Sequence, residues 1–166
     1  MFKTRDFYLM KVFDIKGKYV GLVSDLNIDF YNGKVLGFFI SNYTLFSKRN
    51  YIDIDDIVSM GDVITTKGIV EKKGLPFRKI KDLDIYDMGN VMKGVLEDIL
   101  IDTKDFSIKG LIVSSGIFDK MLKGKEILLI QNCILGDRYI LYKGSGNISL
   151  KTLPHNVAGN EVLKKA

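Results

Sequence analysis

The chain has 166 residues, of which 46% are hydrophobic and 11% aromatic, so it can bury a core and is not globally disordered. Its formal net charge is +5, its single cysteine is Cys133, and no apolar run approaches the roughly 18 residues that cross a bilayer. Without a disulfide partner for Cys133 or a signal-peptide pattern at the N-terminus, the sequence predicts a cytoplasmic protein with no membrane insertion.

A repeat with a constant spacing runs through the chain. Residues 14–41 align with residues 87–114 without a gap, and their apolar positions agree as well as their polar ones. We call the shift that carries Asp14 onto Asp87 the repeat offset. An internal duplication is the simplest interpretation of this agreement. The identical pairs are Asp14/Asp87, Gly21/Gly94, Asp25/Asp98, Asp29/Asp102, Gly37/Gly110 and Ser41/Ser114.

The first copy predicts a series of short strands. Alternating polarity predicts one over Tyr19–Asp29, and a nearly continuous apolar run predicts its partner over Val35–Ser41. Asn32-Gly33 between them predicts a hairpin turn, because this dipeptide tolerates positive φ angles. Further elements are expected as strands over Phe46–Ile54 and Asp62–Thr66, with an aspartate-capped one-turn helix over Asp55–Met60.

The second copy predicts corresponding elements, with Thr103-Lys104-Asp105 as a looser hairpin turn. Its strands are expected over Val91–Asp102, Ile108–Ser114, Glu126–Ile130 and Arg138–Tyr142.

So many short strands in each copy leave open sheet edges unless the sheet closes. A small barrel filled by side chains satisfies that demand. We therefore expect an all-β protein of two tandem small β-barrels related by internal duplication. The expected boundaries are residues 1–70 for the first barrel and 71–146 for the second, with 71–81 as a basic linker and 147–166 as a tail that is mobile or forms a short helix.

Glycines, turn residues and apolar strands follow one pattern in both copies. In the first copy the pattern includes Gly17–Gly21, Val23–Asp25, Asp29, Gly33–Gly37 and Ile52–Asp62. The second copy matches at Gly94, Asp98, Asp102, Gly110 and Leu135–Asp137, and it departs at Asn90 and Gln131–Cys133. The pattern resembles the PRC-barrel family over nearly the whole chain.

This resemblance implies a role in protein contacts and assembly, and it brings no shared catalytic residues. Similar barrels form the cytoplasmic domain of the photosynthetic reaction-centre H subunit and the C-terminal domain of the ribosome maturation factor RimM. The chain is expected to lack the membrane helix of the first and the N-terminal partner domain of the second. Neither specific function therefore transfers.

Aspartates are the most prominent candidates for chemistry. Asp25 and Asp29 recur as Asp98 and Asp102, and paired carboxylates are suited to acid–base catalysis. Because active sites are seldom duplicated within one chain, the recurrence favours a structural role in turns and strands.

Metal and nucleophile candidates are weaker still. Asp53, Asp55 and Asp56 are suited to a hard cation or to a helix cap, and the absence of an EF-hand pattern favours the cap. His155, the only histidine, has no ligand or catalytic partner at a familiar spacing. We therefore expect no catalytic, cofactor or metal site, and no enzyme.

The basic stretch Lys67–Lys81 is either a solvated linker or a contact for an anionic partner. RNA phosphates would suit its cations, and Phe77 would offer a stacking face. The candidate contact residues are Lys67, Lys72, Lys73, Arg78, Lys79 and Lys81, opposed only by Glu71.

The sequence thus predicts a non-enzymatic protein-interaction or assembly module built from two PRC-like barrels. The alternative is an RNA- or ribosome-associated factor that uses the basic segment. Self-association is also expected, as a symmetric dimer through Phe38-Phe39 or Ile117-Phe118. Function is expected where the copies differ: in the basic stretch, the loops Tyr43–Asn50 and Gly116–Lys125, and the tail.

Overall fold

A computed structural model describes residues 1–41, 50–71, 74–114, 125–144 and 148–150. These residues form short strands joined by turns, and none of their helices is long or apolar enough to span a membrane. The helices are single 3-10 turns at Thr4–Asp6, Ile54–Asp56, Phe77–Lys79 and Ile130–Asn132. The strands are β1 Lys11–Asp14, β2 Tyr19–Asp29, β3 Lys34–Ser41, β4 Asn50–Asp53, β5 Ile57–Met60, β6 Val63–Thr66, β7 Val70–Glu71, β8 Leu75–Pro76, β9 Asp84–Asp87, β10 Met92–Asp102, β11 Ser107–Ser114, β12 Lys125–Leu129, β13 Cys133–Leu135, β14 Tyr139–Tyr142 and β15 Ile148–Leu150.

The all-β class is confirmed, and so are the two long hairpins. β2 has the predicted bounds, and β3 and β11 each begin one residue before theirs. In the first hairpin turn Gly33 has a φ of 60°, and Asp29 accepts hydrogen bonds from the backbone and side-chain amides of Asn32. The backbone N–H of Asn32 is the main reason that the pKa of Asp29 is lowered.

Several local predictions differ from the structure. The helix expected over Asp55–Met60 is limited to the 3-10 turn Ile54–Asp56, and the remaining residues form β5 because they pair with β6. The sequence does not predict β1 and β9, because each is short and includes charged residues. Ile148–Leu150 pairs with β12, although the sequence predicts a helical or mobile tail. Residues 46–49 of a predicted strand lie outside the described residues.

The strands form one sheet whose main path runs β13-β14-β9-β10-β11-β3-β2-β1-β6-β5. We call β1–β8 the first half and β9–β15 the second half. In each half a long antiparallel hairpin lies beside a parallel pair of strands in the sheet, β1 with β6 in the first half and β9 with β14 in the second. Among the described strands, β4 and β5 do not pair, nor do β12 and β13, so hydrogen bonding does not close either half into the expected barrel.

The backbone irregularities of the two halves also correspond. The β2–β3 ladder shifts register between Val23 and Asp25, and the β10–β11 ladder does so between Leu96 and Asp98. Such bulges increase local twist and bend the strand. Positive φ angles also occur in pairs separated by the repeat offset: Leu9/Asp82, Gly17/Asn90, Gly21/Gly94 and Gly33/Phe106.

The halves meet where the two hairpin turns lie side by side. Lys34 of β3 pairs with Ser107 of β11, and the Ile108 amide donates to the Gly33 carbonyl at 2.7 Å. Phe38 packs edge-on against Phe106 with ring centroids 6.4 Å apart, so the core continues across the junction. Phe38 and Phe39 are buried, and the dimer contact predicted for them is therefore wrong; Ile117-Phe118 lies outside the described residues.

Two short segments cover the edges of the long strands β2 and β10, and we call them straps. The central strap, residues 74–79, places Leu75 and Pro76 on β2 opposite Ile28 and Asn27. The N-terminal strap, residues 1–6, places Phe2 on β10 opposite Ile101. The repeat offset carries the N-terminal strap onto the central strap, and it also carries the β2 edge onto the β10 edge.

Each strap supplies donors to an aspartate of the strand that it covers. The Nε of Arg78 donates to Asp25 at 2.6 Å, and the Thr4 amide and hydroxyl donate to Asp98 at 3.0 and 2.7 Å. The Asp25 side chain is only 1% exposed, so its carboxylate depends on protein donors such as Arg78 in place of water. Asp25 and Asp98 therefore connect straps to strands, whereas Asp29 and Asp102 accept from the turn amides of Asn32 and Lys104.

Arg78→Ala should destabilise the protein by about 1–3 kcal/mol, because the buried Asp25 carboxylate loses its strongest donor. Urea unfolding followed by circular dichroism measures the change. Arg5→Ala is the matched control, since Arg5 is the repeat equivalent of Arg78, is 70% exposed and lies 3.8 Å from Asp6, itself partly exposed. That control should change stability by less than about 0.5 kcal/mol. Equal effects of the two variants would contradict the assignment.

Gly17→Ala should destabilise by about 1 kcal/mol, because Gly17 has a φ of 78° that alanine adopts only with strain. A new methyl group would meet nothing within 4 Å, so the effect isolates backbone strain from crowding. Gly61→Ala is the control, because Gly61 also faces open space but its φ is outside the positive region. Unfolding midpoints in urea compare the two, and similar midpoints would overturn the strain argument.

Candidate interaction surfaces

Strand alternation places one face of each half outward. Val12 of β1 and Ile85 of β9 point into the core and are fully buried. Their neighbours Phe13 and Tyr86 therefore lie on the opposite, outer side of the sheet. The two outer faces come from β2-β1-β6-β5 in the first half and β10-β9-β14-β13 in the second.

The outer face of the second half carries a row of apolar side chains, and we call it the second face. Cross-strand pairing aligns Met92, Tyr86, Leu141 and Ile134 across four strands. Tyr139 joins the row, packing edge-on against Tyr86 with ring centroids 5.8 Å apart. Met92, Ile134 and Tyr139 are all exposed, and Met88 and Val91 in the adjoining turn are exposed as well.

The first face is the equivalent surface of the first half, and it is more polar. Pairing aligns Tyr19, Phe13, Thr65 and Ser59 across the corresponding strands. The Phe13 and Tyr19 rings meet edge-on at 5.6 Å, and Val63 takes the place of Tyr139. Thr65 and Ser59 thus stand where the second face has leucine and isoleucine.

The charges beside the two faces differ in sign. Lys11 of β1 corresponds to Asp84 of β9, because each aligns with the first residue of the parallel partner strand. The exposed Lys16 and Lys18 of the β1–β2 turn are replaced by Gly89 and Val91 in the β9–β10 turn. At these three positions the first face has Lys11, Lys16 and Lys18 where the second face has Asp84, Gly89 and Val91.

The two turns nevertheless share one architecture. Asp14 accepts from the amides of Lys16 and Lys18, and Asp87 accepts from those of Gly89 and Val91. The Val91 amide is the main reason that the pKa of Asp87 is lowered. Asn90 replaces Gly17 and keeps the positive φ, at 60°, which asparagine tolerates better than most residues.

The basic stretch proposed from the sequence is only partly free in the structure. Lys67 lies 4.0 Å from Asp56, and Arg78 is bonded to Asp25 and to the Ser24 carbonyl. Phe77 and Ile80 are buried, so this part of the stretch differs from a solvated linker and offers no stacking ring. Lys79 and Lys81 are exposed, while Lys72 and Lys73 lie outside the described residues.

A cleft of about 460 Å³ lies between the N-terminal strap and the β5–β6 turn. Asp6 and Asp62 are its acidic groups, and Asp6 already accepts from the Lys3 amide at 2.7 Å. The cleft has no paired nucleophile and base in its lining. It is lined by Phe2, Asp6, Phe7, Met10, Met60, Gly61, Asp62 and Thr103.

The remaining chemical candidates have structural roles or lie outside the described residues. Burial raises the pKa of the Cys133 thiol to about 12, which makes it a poor nucleophile. Asp53 caps a 3-10 turn by accepting from the Asp55 amide, as predicted. The described part of the chain contains no group of three or more histidine, cysteine or acidic side chains able to hold a metal. His155 lies outside it.

Sequence reasoning missed the second face. Its signal is the alternation of β9 and β14, in which buried Ile85 and Ile140 flank outward aromatic residues. Each strand has only four residues, too few for a periodic pattern to stand out.

Residues 1–73 match the family model of the PRC-barrel domain, a range that includes β1–β7 and stops before the central strap. The heat-inducible transcription repressor HrcA of Aster yellows witches'-broom phytoplasma (strain AYWB) is 27% identical over 124 residues. That alignment covers 74% of this chain and 36% of HrcA, so the chain spans about a third of the length of this curated relative. The sequence resemblance to the PRC-barrel family is thus confirmed for residues 1–73.

Proposed function

We propose that this protein is a non-enzymatic interaction and assembly module, in which the second face of one copy docks on the first face of another copy. The observation that carries the proposal is the apolar row of the second face, in which Met92, Ile134 and Tyr139 are exposed and Tyr86 and Leu141 are half-buried. Exposed apolar patches of this kind mark interaction sites, and aromatic residues and methionine are enriched in them.

The choice of occupant rests on complementarity. The first face offers exposed aromatic and aliphatic side chains at Tyr19 and Val63 together with the cations Lys11, Lys16 and Lys18. The second face offers a larger apolar area next to Asp84. Opposite charges beside two apolar patches favour a mixed contact over the pairing of identical faces. Such a head-to-tail contact does not close on itself, so it builds chains of copies unless the rotation closes a ring.

The family match supports a role in protein contacts. Residues 1–73 match the PRC-barrel domain, and we interpret the second half as a second PRC-like unit that arose by tandem duplication. The matched bulges, positive φ angles and straps of the two halves support that interpretation. Differences between the units then distinguish the two docking faces.

RNA binding through the basic stretch is the weaker alternative. It retains Lys79 and Lys81 as exposed cations, whereas Arg78 is bonded to Asp25 and Phe77 is buried. HrcA is named a transcription repressor, but the described helices of this chain are three-residue turns with no length to enter a major groove. Retention of structured RNA at low salt, lost in Lys79→Ala/Lys81→Ala, would favour the alternative over protein assembly.

Light scattering over a series of concentrations should show a mass that rises above that of one chain. Tyr139→Lys should weaken this association at least about tenfold, because it replaces an exposed aromatic ring of the second face with a charge. Leu9→Asn is the control, since Leu9 is 72% exposed, lies outside both faces, and has a positive φ that asparagine accepts. A wild-type mass that stays at one chain at all concentrations would refute self-assembly.

A charge exchange tests which faces meet. Lys11→Asp and Asp84→Lys should each impair association, because each places like charges across the contact. Mixing the two variants should restore a two-chain species through the altered first face of one and the altered second face of the other. Pairing of identical faces places only one of these two positions in the contact, so it predicts that the other variant associates as the wild type does. That outcome, or failure of the mixture, would reject the head-to-tail arrangement.

A further inference from the structure

The edge of β10 beyond the end of β9 is a docking site for an extended segment. Phe2 and Ile101 exchange two backbone hydrogen bonds there, each 2.8 Å long. Next to them Asp98 accepts from the amide and hydroxyl of Thr4. The site therefore consists of one backbone pairing position and one carboxylate, and the N-terminal strap occupies both.

In the first half the equivalent site on β2 is occupied by a segment that follows β2 in the chain, whereas the site on β10 is occupied by a segment that precedes β10. β7 pairs with β4, with Val70 opposite Tyr51, and the chain then continues to Leu75, which pairs with Ile28 of β2. Arg78 follows and donates to Asp25. The central strap thus comes from the end of the half that it covers, whereas the strap on β10 comes from the start of the other half.

The second half contains the same starting point for a strap of its own. Ile127 corresponds to Tyr51, because they pair with Ile112 and Phe39, which the repeat offset relates to each other. β15 pairs with β12 through Ile148 opposite Ile127, as Val70 pairs opposite Tyr51. By this register, Ile148 corresponds to Val70 and Ser149 to Glu71.

Counting forward in that register brings Leu153-Pro154 onto Leu75-Pro76, an identical dipeptide. The same number of residues separates Glu71 from Leu75 and Ser149 from Leu153, so a segment of equal length leads from each strand. His155 and Asn156 then correspond to Phe77 and Arg78. The tail therefore carries a third strap sequence, which we call the tail strap, residues 153–156; its placement lies outside the described residues.

We propose that the tail strap is a second occupant of the β10 edge and competes there with the N-terminal strap. Only one segment fits at a time, because Phe2 uses both the amide and the carbonyl of Ile101. Asn156 would take the place of Arg78 and supply side-chain N–H donors to Asp98. Met1 is the repeat equivalent of Gly74 of the central strap. The β10 edge therefore does not require a glycine at this position, and a strap with a side chain there can pair with it.

Exchange of the straps would expose residues 1–6 and remove two walls of the cleft, since Phe2 and Asp6 line it. The competition is independent of the proposed assembly faces, which lie on β1, β9 and their neighbours. Failure of either proposal therefore leaves the other standing.

Disulfide trapping tests the competition directly. In a Cys133→Ala background, Leu100→Cys is combined with both Lys3→Cys and Pro154→Cys, so that position 100 chooses between the two straps. Asn27 pairs with Pro76 in the first half, and position 100 corresponds to Asn27, so positions 3 and 154 are the expected partners. Mild oxidation at low protein concentration, followed by non-reducing peptide mass spectrometry, measures the two products within single chains.

Both products should form, and Phe2→Ser with Thr4→Ala should raise the ratio of the 100–154 product to the 100–3 product by about tenfold, since these changes weaken only the N-terminal strap. Asn160→Cys in place of Pro154→Cys controls for random collisions of the tail, and its yield should not exceed a small fraction of the Pro154 yield. Absence of the 100–154 product in both backgrounds, or equal trapping by Asn160→Cys, would overturn the proposal. Urea unfolding of each variant verifies that the fold is retained.

Discussion

The architecture depends on how the exposed edges of two long strands are covered. β2 and β10 each extend beyond the short strand beside them, β1 or β9. Without a further partner, the backbone amides and carbonyls along the rest of that edge would be unpaired. Each edge is covered by a strap that also brings donors to an aspartate, Asp25 or Asp98. The N-terminal strap belongs to the first half and covers an edge of the second, so it also holds the halves together. The junction of the two hairpin turns and the shared core around Phe38 reinforce that connection.

This arrangement explains why the outer faces are available for contacts. The strands β1 and β9 pair through their backbones with the strands on both sides. On the inner face of the sheet, Val12 and Ile85 anchor these two strands to the core. Their outward residues contribute little to the core. The outward residues of these strands and of their neighbours differ between the halves: the second face has Leu141 and Ile134 where the first has Thr65 and Ser59, and it has Asp84 where the first has Lys11.

Glycine and positive-φ positions show how far the repeat constrains the backbone. Gly37 and Gly110 recur because a side chain at either would collide with the carbonyl of the adjacent strand, at Ile52 and Leu128. At Gly33 and Phe106, in contrast, the conformation is kept although the residue type is not. Phe106 adopts a φ of 54° and packs its ring against Phe38, so tertiary packing offsets the local strain. Backbone geometry is thus more strictly maintained than the residues that would favour it locally.

The sequence by itself determined the all-β class, the two hairpins and the spacing of the repeat, because alternation, apolar runs and the Asn-Gly turn are local signals. It also indicated that the recurrent aspartates were structural. Only the tertiary structure decided which residues supply their donors, since Thr4 lies 94 residues from Asp98 and Arg78 lies 53 from Asp25. The second face was equally hidden, because it is formed by single residues from four separate strands. The physical reason is common to both: pairing across the sheet joins distant residues, and no local pattern encodes which edges will meet.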